Sequence, residues 1–373
     1  MNVLWITWKD SQHPEAGGAE VVCYELSKRL LADGHNVTLL TTDYKGAKEQ
    51  GSLPGLTVIR AGSSRYTHPF QALWYYVRNL RNKYDVVIEE VNGGAPYFAV
   101  FFGRKSKRYM LYHQLGRINW FYEIPAPFSF LGYYLLVPIA TRLASLAGTP
   151  LITVSESSKK ELVKFGFKPE QTHIISEGIQ IAPLASLEGV EKYPEPTVLS
   201  HGSMRAMKRT IEQIKAFELA KKQIPDLKLK VSGSSNGSYG QKVMAYIAQS
   251  PYKADIEYLG RTTDAQKTEL MQKCHAILVT SIEEGWGLIV TEANSQGTPA
   301  VVYDVAGLRD SVKTTQTGMV TAENPAGLSD GIVTLLKDQA TYNAMRHNAW
   351  QWSKTITFEQ SYKDFKEAVG IAP

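Results

Sequence analysis

Twice along this chain, short apolar runs alternate with helix-length amphipathic segments. That alternation restricts the fold to parallel sheets covered by helices on both faces. Val3–Trp8 and Val37–Thr41 read as buried strands. Between them Gly18–Leu31 repeats Val21, Val22, Leu26 and Leu30 at helical spacing, and Asp33-Gly34 ends that helix. Thr57–Arg60, Asp85–Glu89, Arg108–Tyr112 and Leu151–Val154 are further strand candidates. The pattern lapses at IAPLASLEGVEKYPEP, residues 181–196, whose three prolines give it the composition of a linker. It restarts with strands at Thr197–His201, Lys228–Ser232, Ile256–Leu259, Ala276–Thr280 and Ala300–Tyr303. Helices are expected between these strands, at Thr210–Gln223, Gly240–Gln249, Thr263–Lys273 and Ile289–Gln296. A length of 373 residues is more than one core sustains. The expectation is therefore an α/β protein of two Rossmann-like, doubly wound domains, residues 1–180 and 197–355, facing each other across a cleft. In such sheets ligands sit beyond the carboxyl ends of the strands.

Charge and cysteine content narrow the function classes. The net charge of +5 is mild. It belongs wholly to the first half, where residues 1–180 carry 20 basic and 15 acidic side chains against 21 and 21 in the remainder. Two cysteines, Cys23 and Cys274, make no disulfide framework and show no metal-ligand spacing. The start, MNVLWITWKD, lacks the basic and long apolar regions of a signal peptide, so a cytoplasmic chain is expected. Ile124–Thr141 runs eighteen residues without a charge, but Pro125, Pro127 and Pro138 are expected to break any continuous helix there. A membrane span is not expected; a buried helix or a surface-docking aromatic segment is.

Two stretches could carry chemistry. Gly17-Gly18 lies between the first strand and the first helix, where glycines let the backbone approach a ligand and free N–H groups can meet an anion. It is neither G-x-G-x-x-G nor followed by a Walker lysine, so it reads equally as a tight turn. The second stretch is Ser281-Ile-Glu-Glu284-Gly285-Trp-Gly287-Leu288-Ile-Val-Thr-Glu292. It places Glu284 in a glycine-flanked loop after a strand and Glu292 more than a turn into the next helix. A loop carboxylate suits sugar hydroxyls, a helix carboxylate suits a ribose diol, and the N–H groups of Gly287 and Leu288 would face a diphosphate. The bland alternative is a solvated acidic turn beside a surface ion pair. His113 follows the apolar run Tyr109–Tyr112, at a strand end where a lone histidine is more often a packing residue than a ligand.

The stretch EEGWGLIVTEANSQGTPAVVYDVAGLRDSV, with the later QTGMV, resembles the donor-binding signature of glycosyltransferase family 4. These are retaining, nucleotide-sugar-dependent enzymes of the GT-B fold. HPEAGGAEVVCYELSKRLLADGHNVTLLTT resembles the N-terminal glycine loop, helix and second strand of that family. ITVSESSKKELVKFGF with SEGI resembles its approach to the hinge, and IEYLGRTTDAQKTELMQKCHAILVTS the elements before the Glu motif. The resemblance implies that Glu292 holds the donor ribose, that Glu284 contacts the transferred sugar and that Lys208 neutralises the diphosphate. It implies that Gly17 and Gly18 close over the diphosphate and that His113 lies near the reacting centre. Two positions depart from the family. Ser203 stands where an arginine is usual, with Arg205 two residues on, and Glu177-Gly178 replaces the usual Asn-Gly. The C-terminal helix of the family crosses back to the first domain, which here implies residues 356–373.

No Asp-x-Asp occurs, so the charge on a leaving diphosphate is expected to be met by Lys208, Arg205 and backbone amides, without a metal or other cofactor. Residues 60–117 carry ten Lys/Arg, Arg65 and Arg104 among them, against Asp85, Glu89 and Glu90. Within Pro69–Lys83, Phe70, Leu73, Trp74, Val77 and Leu80 form an apolar stripe beside Arg78, Arg81 and Lys83. A helix of this kind can lie on an anionic membrane or pack on the sheet. The expected partners are a nucleotide-sugar donor and a saccharide acceptor, lipid-linked, with peripheral attachment to an anionic membrane and no nucleic acid. Two rivals are a nucleotide-sugar epimerase on the same fold and a catalytically silent nucleotide-sugar-binding subunit.

Overall fold

The computed structural model describes residues 1–47, 51–63, 67–92, 96–103 and 105–371. Arg65 and Arg104 of the basic segment lie outside the described residues. The chain forms two units, residues 1–178 with 358–373, and residues 179–357.

The first unit holds a parallel sheet in the order β3-β2-β1-β4-β5-β6-β7. Its strands are β1 (Asn2–Ile6), β2 (Asn36–Thr41), β3 (Thr57–Arg60), β4 (Val86–Asn92), β5 (Lys107–Gln114), β6 (Leu151–Thr153) and β7 (Thr172–Ile174). The helices are α1 (Gly18–Ala32), α2 (His68–Tyr75), α3 (Trp120–Glu123), α4 (Phe128–Leu131), α5 (Val137–Ser145) and α6 (Glu156–Lys164). Leu4, Ile6 and Val87 pack against Ala72, Tyr76 and Leu80, while Met110 and Tyr112 pack against Val137 and Ala144.

The second unit repeats the plan in the order β10-β9-β8-β11-β12-β13. It comprises β8 (Thr197–His201), α7 (Thr210–Lys221), β9 (Lys228–Ser232), α8 (Ser238–Gln249), β10 (Ile256–Gly260), α9 (Asp264–Lys273), β11 (Ala276–Val279) and α10 (Leu288–Ser295). β12 (Ala300–Tyr303), β13 (Gly318–Thr321), α11 (Pro325–Lys337) and α12 (Gln339–Ser353) complete it. The last helix, α13 (Phe358–Val369), belongs to the first unit. There the Phe365 ring stacks on Trp5 at 5.7 Å, Tyr362 Oη donates to Asp33 at 2.8 Å, and the Gly178 N–H donates to Ser361 Oγ at 2.9 Å.

Two expectations are corrected. The chain does not break at Pro138: Phe128–Ser145 is one continuous helical run, with a π-helical turn at Gly132–Leu136. Pro138 falls in the first turn of α5, where the wider i→i+5 bonding of the preceding turn absorbs the missing N–H. Residues 181–196 are not a free linker. Lys192 Nζ donates to Cys274 O, Gly297 O and Thr298 Oγ1, and Trp350 Nε1 to Leu184 O at 2.7 Å, fastening the segment to the second unit. The apolar stripe of Phe70–Leu80 divides between the two alternatives: Leu73, Val77 and Leu80 pack on the sheet core beside Ala72 and Tyr76, and Phe70 and Trp74 do not. Ala72, Tyr76 and Leu80 are buried, whereas Phe70 and Trp74 are exposed and Arg78 lies over the Trp74 ring at 5.1 Å.

Candidate active site

In the second unit two loops meet at the carboxyl ends of β8 and β11. One passes from Gly202 through Arg205 to a turn at Ala206–Lys208; the other runs from Thr280 to Gly287. The loops are joined by backbone and side chain together. The Ile282 N–H donates to Met207 O at 2.9 Å, and buried Thr280 Oγ1 donates to Lys208 O at 2.8 Å and accepts from Gln213 Nε2 at 2.9 Å. This stitching brings Lys208 and Glu284, 76 residues apart, into an ion pair, with Ser281 Oγ donating to the same carboxylate oxygen at 2.6 Å. Burial pushes the Glu284 carboxyl up, but Lys208, the Ser281 hydrogen bond and the charge of Arg205 outweigh it and hold the group below the usual range. Arg205, placed at the start of the turn, is exposed.

Gly287 and Gly307 shape the loop. Gly287 precedes α10 in the left-handed region, at φ +99°, and a Cβ there would press on Leu308 and Ser311. A Cβ on Gly307 would lie 2.2 Å from Glu284 O, so only glycine fits beneath the acidic loop. Leu288 opens α10, and Gly285 lies in the half-buried turn before it. Trp286 beside them has a buried indole N–H without a hydrogen-bond partner. Glu292, one turn further along α10, is bracketed by Lys267 of α9, whose Nζ is 3.0 Å from both carboxylate oxygens. Burial raises the Glu292 carboxyl and Lys267 opposes the rise. His201, at the end of β8, bonds Ser232 Oγ at 2.7 Å; burial, with the charge of Lys267, pulls its imidazole down to about 4, so it is neutral at physiological pH.

Lys267, His201, Thr280 and Gly307 were not singled out by the sequence. Only a helix pattern and a strand end marked the first two, and both become visible once the strand order is known.

Gly17, Gly18 and His113 lie in the first unit. Gly17 caps α1, but its N–H already donates to the Glu20 carboxylate at 2.5 Å, and Glu20 is itself 3.5 Å from Lys9 Nζ. The helix end expected to meet an anion thus holds a carboxylate of its own. His113, next to last in β5, has both ring nitrogens engaged, Nδ1 at 2.8 Å from Glu177 and Nε2 at 3.2 Å from Glu90. Trp5 Nε1 donates to the other Glu90 oxygen at 2.5 Å. Burial opposes the imidazolium, yet the two carboxylates prevail and lift His113 to about 10. His113 therefore carries a fixed positive charge and offers no free nitrogen as a base. The departure at Glu177 finds its partner here: it supplies the second carboxylate. Among the described residues, no group of three His, Cys, Asp or Glu side chains is arranged to hold a metal ion.

Comparison with known proteins assigns both halves. A family model described as Glycosyltransferase Family 4 matches residues 16–182, and one described as Glycosyl transferases group 1 matches residues 188–352. Over 166 residues the chain is 32% identical to poly(glycerol-phosphate) alpha-glucosyltransferase of Bacillus subtilis (strain 168), a match covering 44% of this chain and 24% of that protein. The chain thus spans about a quarter of that relative's length. Sucrose-phosphate synthase of Thermosynechococcus elongatus superposes with a TM-score of 0.77 at 17% identity, covering 98% of this chain and 97% of that one. Anabaena HepE, crystallised with UDP-glucose, superposes with a TM-score of 0.69 at 17% identity over all of both chains. These likenesses identify the fold as GT-B. With one model matching its first half and the other its second, on the fold these enzymes share, the chain belongs to glycosyltransferase family 4.

Proposed function

We propose that this glycosyltransferase is a retaining hexosyltransferase that takes a hexose from a UDP- or GDP-linked donor. The observation that supports this most is the Lys208–Glu284 pair, held where two loops meet at the strand ends. In this reading Lys208 and Arg205, with the N–H groups of Gly287 and Leu288, carry the diphosphate charge. Glu284 contacts the transferred sugar, and Glu292, beside Lys267, receives the ribose diol. The bond from the anomeric carbon to the diphosphate oxygen breaks, and its electron pair leaves with the nucleoside diphosphate. The acceptor hydroxyl then bonds to the same face of that carbon and gives its proton to the departing oxygen. In the first unit, His113 and Gly17-Gly18 keep in this reading the roles the resemblance implies, near the reacting centre and over the diphosphate. Of the two donor classes the uridine one is favoured, since HepE, which shares the fold, binds UDP-glucose in its crystals.

The acceptor in this reading is a saccharide, lipid-linked, and the enzyme works in the cytoplasm, attached peripherally to the inner face of an anionic membrane. The basic surplus of the first half supports the attachment. A panel of UDP-, GDP- and ADP-sugars tested by thermal melting ranks donors without an acceptor. A donor at about 100 times its Kd raises stability by about 2.7 kcal/mol. No shift with any UDP- or GDP-sugar would overturn the donor assignment. Conversion of the donor to its epimer in the absence of acceptor would favour the isomerase instead.

In this reading the leaving group needs no metal: Lys208, with Arg205 and backbone amides, meets the charge that a metal held by an Asp-x-Asp motif would otherwise meet. Transfer is therefore expected to persist in excess EDTA. Loss of turnover that Mg²⁺ or Mn²⁺ restores would show that Lys208 does not meet the diphosphate charge alone.

A further inference from the structure

Exposed large apolar side chains are distributed very unevenly over this molecule. Of sixteen among the described residues, fourteen fall between Phe70 and Leu146, and Leu219 alone lies in the second unit. Strand register shows that the elements carrying them cover one face of the first sheet. Leu4 pairs with Val87 and Val91 pairs with Tyr112, so these four side chains project to the same side. Leu4 and Val87 pack beneath α2, and Val91 and Tyr112 pack beneath α5. Outside that layer, Phe130, Tyr134, Leu135, Ile139, Leu143 and Leu146 point to solvent, Leu146 with 75% of its surface exposed. Monomeric soluble proteins rarely show so continuous an apolar surface without an occupant.

The structure points to a lipid bilayer as that occupant: we infer that the outer side of α4 and α5 inserts into the boundary between headgroups and acyl chains. This deepens, and rests on, the membrane attachment proposed above. It names a different surface and a different force, since α4–α5 enters by apolar burial and not by charge. Three observations select the bilayer. The run Phe128–Ser145 is 18 residues long and only 28% buried, enough apolar length to cover a membrane surface. Yet Val137 and Ala144 are committed to the core over Met110 and Tyr112, so the helix lies along the sheet and offers the membrane one side, as an interfacial helix does. Charge complements it. No acidic residue occurs between Glu123 and Glu156 or from Thr67 to Tyr84, while Arg78, Arg81, Lys83 and Arg142 are exposed on the same layer. A second copy of the chain would gain nothing from this one-sided cationic rim, whereas anionic headgroups would.

Vesicle flotation of the full chain tests the inference. The protein is expected to float with neutral phosphatidylcholine vesicles and to stay bound at about 1 M NaCl, where exposed charges are screened beyond ~3 Å. Leu135→Ser/Ile139→Ser is expected to lower partitioning about tenfold or more, and Phe130→Ala/Tyr134→Ala to lower it likewise, with melting temperature and donor-induced stabilisation unchanged. Anionic vesicles are expected to bind more tightly than neutral ones by a salt-sensitive margin. Binding to anionic vesicles alone, abolished by salt, would overturn insertion and leave only surface charge. Wild-type flotation by both variants would overturn the placement on α4–α5. A dimer in vesicle-free buffer that either variant dissociates would make a second copy the occupant. Transfer to a soluble saccharide at full rate, with flotation intact, would sink the lipid-linked acceptor and leave the docking surface standing.

Discussion

Lys208→Ala is expected to lower turnover about 10²–10³-fold, the usual loss when one preorganised donor to developing negative charge is removed. Nucleoside diphosphate binding is expected to weaken less, by about 1.5–3 kcal/mol, because the ground state carries part of the same charge. The difference between the two losses measures how far Lys208 favours the transition state over the bound donor. The substitution also removes the charge that outweighs burial at Glu284, so the Glu284 carboxyl is expected to titrate higher in the variant. A group held below its ordinary value stabilises the fold above that value and loses the contribution as pH falls. The variant is therefore expected to lose less stability than the wild type on acidification through the carboxylate range. Arg205→Ala is the companion. Its charge reaches Glu284 without a direct bond, so a smaller loss of donor affinity is expected, and rate and affinity should fall together if Arg205 stands in for the arginine absent at Ser203. Unchanged diphosphate affinity by calorimetry in a folded Lys208→Ala protein would remove Lys208 from the donor site.

The architecture was legible because both sheets are parallel and buried, so each strand announced itself as an apolar run bounded by turn residues. β3, β8, β9 and β12 have the expected limits to the residue. β7 and β13 lack such a run: Thr172–Ile174 holds a single aliphatic residue and Gly318–Thr321 opens on glycine. Pro138 misled because a proline breaks a helix only if the bond it removes has no substitute, and a π-helical turn is not visible in composition. Residues 181–196 misled for a related reason. Their prolines describe the chain locally, whereas Lys192 is held by carbonyls 82 and 105 residues away.

The site divides along the same line. Glu284, Gly285, Gly287, Leu288 and Glu292 share one loop and helix, so their spacing carried them. Lys208 was found through family resemblance alone, since nothing in HGSMRAMKRT identifies a partner 76 residues on. Lys267 and His201 depend on which strands are neighbours. Glu90 and Glu177 depend on the order of three strands, β4, β5 and β7, and a count of acidic residues in a basic segment gave no hint that one of them faces a histidine.

That histidine is the second large effect. His113→Ala is expected to destabilise the first unit by about 3–5 kcal/mol at neutral pH, because it leaves the buried Glu90 and Glu177 carboxylates with the compensating charge between them gone. For a unit of this size each kcal/mol moves the midpoint by about 2–4 °C, so the transition of the first unit should fall by about 6–20 °C. The pH dependence has a definite sign. The folded imidazole is raised to about 10 from an ordinary 6.5, so its contribution is complete below 6.5 and is lost as pH rises toward 10. The gap between wild type and variant should narrow across that window. It should also narrow on strong acidification, when the two carboxylates of the variant can take up protons. Glu177→Gln separates the partners: it removes one carboxylate but retains an acceptor for the Nδ1 proton. It should therefore destabilise less than His113→Ala and bring the imidazole back toward neutrality at lower pH. Ring-nitrogen NMR shifts follow that change directly. An imidazole in the wild-type protein that is already neutral at pH 8, or a stability gap that stays constant from pH 6.5 to 10, would show that the two carboxylates do not hold His113 charged.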